Sequence, residues 1–213
     1  MSGKIDAYVD CVSPYSYFAI QHLRRNRKAL ESHGVEIEYG TRNKPPWTLP
    51  AKAAYSKFDL ARAAKYFGVP PVKAPDFFPI LSIMPQRCMI YIKRNFPRER
   101  FETVILALSE WMYYKGIDIS KPENLAKLLQ EHQYTDPEIQ AILGAAKQPE
   151  YKDALASNTQ KALDHGAFGA PWFWIRNEEG KEEPFFGSDR FAFMWQFLGI
   201  PFQDVTIVEK ARL

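Results

Sequence analysis

The chain has 213 residues, 46% of them hydrophobic and 25% charged, with a formal net charge of +3. That length and balance suit one soluble core, or a small domain carrying an insertion. Lys and Arg are interleaved with Asp and Glu, which argues against a nucleic-acid or membrane-surface protein, and no apolar run is long enough to span a bilayer.

The first block runs from Lys4 to about Thr41. Ile5, Ala7, Val9 and Cys11 alternate with Asp6, Tyr8 and Asp10, which predicts a strand. Ser13-Pro14 is a helix entry, because proline suits the first helical position. Tyr15, Phe18, Ala19, Leu23 and Leu30 recur near helical spacing, and Gly34 stops the helix. Arg24, Arg25, Arg27 and Lys28 read as its solvated C-terminal end, where cations suit the dipole. Val35, Ile37 and Tyr39 alternate with Glu36 and Glu38, a second strand. Strand–helix–strand predicts a parallel βαβ unit.

The second block, from about Leu49 to Gly166, reads as helices. One spans Phe58 to Tyr66 and ends at Gly68. Pro97 opens another, with Val104, Ile105, Leu108, Trp111 and Met112 on one side. Ser120-Lys-Pro-Glu123 and Thr135-Asp-Pro-Glu138 have the pattern of capping boxes. Glu150 to His165 is helical in pattern, and Cys88 lies in a further helical stretch.

In the third block, Pro171 to Ile175 predicts a short aromatic strand, Asn177 to Gly180 a turn and Pro184 to Phe186 the returning arm. Ser188 is expected to cap a last helix, Asp189 to Leu198, closed by Gly199. The order βαβ, helices, ββα predicts an α/β fold. Its halves, 1–48 and 166–213, form one domain around an all-helical insertion, 49–165. Order alone leaves several α/β topologies open.

Cys11 and Cys88 are too few for a disulfide framework, and a reducing, intracellular compartment fits them best. Both are expected to be buried and inert. His22, His33, His132 and His165 lack metal-ligand spacing, so no metal is expected.

The stretch that carries chemistry is Asp10-Cys11-Val12-Ser13-Pro14-Tyr15-Ser16, where the first strand hands over to a helix. Thioredoxin-fold oxidoreductases place C-x-x-C at this junction. Here both thiols are hydroxyls, and a serine cannot exchange a disulfide. What remains is a helix start with free N–H groups and a hydroxyl, a suitable seat for an anion or a thiolate.

Four motifs in order make the chain resemble the kappa-class glutathione transferases and the related 2-hydroxychromene-2-carboxylate isomerases. They are Ser13-Pro14-Tyr15-Ser16, Asn43-Lys44-Pro45-Pro46, Gly166 through Pro171, and Phe186 through Arg190. The resemblance spans nearly the whole chain and implies a DsbA-like thioredoxin fold with a helical insertion. It implies that Ser13 donates to the sulfur of glutathione and favours the thiolate, with Pro14 and Tyr15 lining the same pocket. Asn43 and Lys52 match glutathione contacts, Lys52 more loosely. Ala170-Pro171 matches the cis-proline loop, whose Ala170 backbone would pair with the cysteinyl part. Ser188 and Asp189 match the residues that hold the γ-glutamyl end.

The resemblance further implies a small electrophile as second substrate and a homodimer. Trp47, Tyr55, Phe58, Phe67, Phe77 and Phe78 are candidates for its apolar pocket. Glutathione peroxidase activity is left open. The alternatives are a glutathione-dependent isomerase, which regains its glutathione, and a non-catalytic thioredoxin-fold interaction module. Ala211-Arg212-Leu213 is a variant of the S-K-L address and is common in the family. It implies a peroxisomal location, with the mitochondrion and cytoplasm as alternatives.

Overall fold

A computed structural model describes residues 3–41 and 50–203. Its elements run β1 (Lys4–Val9), α1 (Pro14–Ser32), β2 (Glu36–Thr41), α2 (Pro50–Phe67), α3 (Ile83–Asn95) and α4 (Arg98–Tyr113). They continue with α5 (Pro122–Glu131), α6 (Asp136–Ala145), α7 (Pro149–Asp164), β3 (Trp172–Arg176), β4 (Glu182–Phe186) and α8 (Phe191–Phe197). The predicted α/β arrangement, βαβ and ββα halves with helices between them, is the one observed.

The four strands lie in the order β2-β1-β3-β4. β1 pairs with β2 in parallel and with β3 antiparallel, and β4 pairs antiparallel with β3. Register carries the alternation across the sheet. Ile5 sits between Ile37 and Ile175, and Ala7 between Tyr39 and Phe173. This row faces the main core with Phe18, Leu23, Leu108, Phe191 and Met194. One residue on, Tyr8, Trp172 and Phe186 align and point to the other face, where Ala162 and Ala167 cover Tyr8 and Trp172. The C-terminal half of β1 is therefore buried on both sides, while Lys4 and Asp6 at its start stay partly exposed.

Helix α1 starts at Pro14 and is stopped by Gly34, whose φ of +70° suits a residue without a Cβ. The basic cluster is not its C-terminal end. The helix runs on to Ser32, and two of these cations are tied inward. Arg25 donates to the Phe67 carbonyl at 2.6 Å, and Arg27 pairs with buried Glu102 at 3.1 Å. Their long stems let the charges reach partners on α2 and α4.

The periodicity of α4 holds: Val104, Ile105, Leu108, Trp111 and Met112 are all buried. α2 begins eight residues earlier than the Phe58 start expected from sequence, at Pro50. α3 was visible only as a helical pattern around Cys88. Of the two capping boxes, Thr135 makes one, its N–H donating to Glu138 at 2.7 Å. Ser120 does not. Lys121 takes the cap position of α5, and the Ser120 hydroxyl donates instead to Asp118 at 2.6 Å. An acceptor two residues upstream won the hydroxyl.

The last helix also differs from expectation. It starts at Phe191, with Arg190 at the cap position and no side-chain cap bond. Gly187, at a φ of +96°, turns the chain out of β4, and Ser188 lies in that turn rather than at the helix entry. Gly199, at +66°, closes the helix region as predicted.

Candidate active site

Ser13 is the N-cap of α1. It has extended backbone angles, and its Oγ accepts the N–H of Ser16 at 3.3 Å. The backbone N–H of Ser13 donates to the Asp10 carbonyl at 3.0 Å. Its hydroxyl lies 3.5 Å from the carbonyl oxygen of Ala170, a long contact for an O–H donor. Ser13 is 5% exposed. No acidic side chain occupies the first turn of α1, so nothing in that turn offsets the positive end of a 19-residue helix.

The second serine of the motif does something else. Ser16 is fully buried, and its Oγ accepts the backbone N–H of Asp10 at 3.1 Å. The two hydroxyls that stand where thioredoxin-fold enzymes keep thiols are thus divided. Ser13 faces the cis-proline loop, and Ser16 fastens the strand end.

The loop between β1 and α1 is pinned from α4. Ser109 donates to the Cys11 carbonyl at 3.1 Å, and Tyr113 to the Val12 carbonyl at 2.6 Å. These carbonyls are buried, so each needs its partner. Neither donor was marked by the sequence, because both bonds cross about a hundred residues. Cys11 and Cys88 are buried, and burial raises both thiols, Cys88 to about 12. Both are buried, as expected, and the raised thiols disfavour the reactive thiolate.

Ala170-Pro171 is a cis peptide, as the resemblance implies. The Pro171 carbonyl accepts the N–H of Gly187 at 3.0 Å, which brings the Phe186–Arg190 motif beside the cis-proline loop. Ser188 is buried, and Asp189 is exposed with Arg190 at 2.6 Å. A Cβ on Gly169 would meet the Phe186 ring at 2.8 Å, which explains why a glycine stands there. Three of the four motifs are therefore adjacent in space. The fourth, at Asn43, lies outside the described residues. Lys52 falls in the first turn of α2, and its side chain lies outside them as well.

Tyr15 is half-buried, and its hydroxyl donates to Asp59 of α2 at 2.7 Å. Tyr55 donates to the other oxygen of Asp59 at 3.1 Å. Burial first, then the bond to Asp59, pushes the Tyr15 phenol well above its ordinary range. Tyr15 is a neutral donor already engaged, which leaves Ser13 as the hydroxyl facing the loop.

The apolar pocket expected from aromatic residues separates into parts. Phe67 is core, stacked on Phe18 at 5.5 Å, and Phe78 packs against Tyr113 at 6.3 Å. Tyr55 and Phe58 are exposed on α2, and Trp47 lies outside the described residues. A cavity of about 240 Å³ lies on the β2 side of the sheet, lined by Tyr39, Met89, Lys93, Phe101 and Asn158 among others. None of its lining residues is a candidate above. Among the described residues, no cluster of His, Cys, Asp or Glu could hold a metal, and no helix is long and apolar enough to cross a membrane.

This combination of a covered four-stranded sheet, a helix start at the end of β1 and an adjoining cis-proline loop defines a thioredoxin-type domain. Residues 4–199 match the family model of the DSBA-like thioredoxin domain. Glutathione S-transferase kappa 1 of Caenorhabditis elegans is 30% identical, over 93% of this chain and 92% of that protein. Glutathione s-transferase kappa 2 of the same organism is 29% identical, over 92% of each. The solved structure of 2-hydroxychromene-2-carboxylate isomerase superposes with a TM-score of 0.72 at 19% identity, covering 92% of this chain and 94% of that one. The chain belongs to the DsbA-like thioredoxin family and, within it, to the kappa glutathione S-transferases.

Proposed function

We propose that this protein is a glutathione transferase that binds glutathione as its thiolate at Ser13 and conjugates it to small electrophiles. One observation carries the reading. The acceptor side of the Ser13 hydroxyl is used by the helix cap, while among the described residues its proton has only the long contact to Ala170. A sulfur seated at the start of α1 offers that proton a better, charged acceptor. A donated hydrogen bond and the helix end both favour the charged form, so the fraction of reactive thiolate rises. The thiol proton leaves to solvent, the sulfur lone pair attacks the electrophilic atom, and the new bond to sulfur displaces the leaving group.

The remaining candidates supply binding. The Ala170 backbone would pair with the cysteinyl part of glutathione as an added strand does. Ser188 and exposed Asp189 would take the γ-glutamyl carboxylate and ammonium, Asn43 would contact glutathione through its amide, and Lys52 would lie near a glutathione carboxylate. Pro14 and Tyr15 would line the wall. Homodimer formation and a peroxisomal location are part of the same proposal and rest on the family resemblance.

The test is calorimetric titration of glutathione into the wild type and into Ser13→Ala, with ultraviolet absorbance counting thiolate. The expected result is thiolate binding by the wild type and mainly thiol binding by the variant. A wild type that binds no glutathione would overturn the reading. Following free glutathione during turnover separates conjugation, which consumes it, from isomerisation, which returns it.

A further inference from the structure

The loop that presents Ser13 has a buried carboxylate at its centre. Asp10 is 3% exposed, and among the described residues four of its hydrogen bonds fix the loop. Its carbonyl accepts from Ser13 N–H at 3.0 Å, and its own N–H donates to Ser16 Oγ at 3.1 Å. Its Oδ1 accepts from Val12 N–H at 3.0 Å and from the side-chain amide of Gln86 at 3.4 Å. Gln86 belongs to α3 and is itself 6% exposed. Its amide nitrogen also donates to Ser82 Oγ at 2.6 Å, while its Oε1 is buried without a hydrogen-bond partner among the described residues. That orientation is what a carboxylate requires, since the turned-over amide would set oxygen against oxygen.

We propose that Asp10 and Gln86 are positioning residues that set the proton affinity of the sulfur bound at Ser13: the charge of Asp10 raises it, and the amide of Gln86 limits the rise. The proposal rests on the thiolate reading above. A buried negative charge three residues before the cap disfavours a second one at the cap. Donation from Gln86 draws part of that charge away from the loop. Among the described residues, the groups facing Asp10 include Cys11 in its own loop, Ser16 of α1, Gln86 of α3 and Tyr113 of α4. Cys11 and Tyr113 are both held protonated, by burial first and by Asp10 next. At the same helix start, Tyr15 donates to Asp59, and Asp189 lies within electrostatic reach of it.

Such a brake has a chemical use. The nucleophilicity of a thiolate falls as its pKa falls, and attack is fastest when the pKa lies near the ambient pH. A helix end and a hydroxyl acting alone would make a plentiful but sluggish thiolate. The buried pair opposes them.

The experiment is a pH titration of thiolate absorbance, with glutathione bound to the wild type, Asp10→Asn and Gln86→Leu. Asparagine keeps the Oδ1 acceptor for Val12 and removes the charge. The midpoint is expected to fall by about one pH unit in Asp10→Asn. It is expected to rise in Gln86→Leu, where the charge stays and its donor goes. Circular dichroism establishes that each variant is folded. Midpoints that stay put, or that move in the same direction in both variants, overturn the proposal. If Asp10→Asn fails to fold, an unmoved midpoint in Gln86→Leu does so alone. Absence of any bound thiolate in the wild type overturns the functional reading instead.

Discussion

At the Ser13 end of the candidate site, the chain is held by side chains from α1, α3 and α4, and every residue from Cys11 to Ser13 is buried. At the Ser188 end, among the described residues, one backbone bond from Gly187 to Pro171 ties the turn to the cis-proline loop. Asp189 and Arg190 there stand exposed, and α8 begins without a side-chain cap. The difference fits what each end would do under the proposed function. A donor that stabilises a charge works best when its position is fixed in advance. A group that captures a flexible, charged ligand can stay in water until the ligand arrives.

The largest effect should come from the fixed end. Ser13→Ala is expected to lower turnover about a hundredfold, the typical cost of one preorganised donor. Stability should fall by about 1 kcal/mol, for the lost cap to Ser16. Steady-state kinetics beside a thermal melt checks both. An equal loss in every folded property would make Ser13 a cap and nothing more.

Acid should loosen the other end first. His22 of α1 stacks on Phe191, the first residue of α8, at 4.1 Å, and on Trp195 at 6.1 Å. Its Nε2 is buried without a hydrogen-bond partner among the described residues. Burial, and then the charge of Arg25, lower its pKa from 6.5 to about 4. Between those values the unfolded chain binds a proton that the folded chain does not. Stability therefore falls as the pH drops from about 6.5 to about 4 and levels off below. The loss should be about 1–3 kcal/mol, allowing for the ring's partial exposure. Denaturant melts across that window check it, and His22→Phe should flatten the dependence.

Tyr113→Phe probes the pinning itself. It leaves the Val12 carbonyl buried and orphaned, which costs about 1–3 kcal/mol. The same change should slow turnover, because the carbonyl is next to Ser13. Urea unfolding and kinetics on one preparation separate the two readings.

How far the sequence revealed all this depended on distance along the chain. The alternation of Ile5, Ala7 and Val9 and the apolar side of α4 were legible, because strand and helix periods are local. So was Ser13, as a cap before a proline. The tie between Ser13 and Ala170 joins residues 157 apart, and no local pattern carries it. It came from the resemblance of ordered motifs. Asp59, Gln86, Ser109 and Tyr113 were missed for that reason: each meets the site from another helix. The start of α8 was misplaced because Ser188 looks like a cap. The turn imposed by Gly187 instead places that serine before the helix.

The smallest change in stability, and the sharpest contrast with Ser13, is expected at Asp189. Its ion pair with Arg190 is exposed and between adjacent residues, so it contributes little to the fold. Asp189→Asn should leave the melting temperature within about a degree, a shift of a few tenths of a kcal/mol. If Asp189 receives the ammonium of glutathione, losing that charged bond should raise the KM for glutathione about tenfold. The rate at saturation should hold, because the bond is present before and after the chemistry. Gly187→Ala gives the complementary test. Its φ of +96° is strained for alanine, and the new Cβ would meet Asp189 Oδ1 at 2.8 Å. Asp189 would be displaced while keeping its charge, so the KM should rise in this variant too. An unchanged KM in both variants would mean that the exposed turn takes no part in binding. The contrast between a fixed chemical end and an open recognition end would then fail.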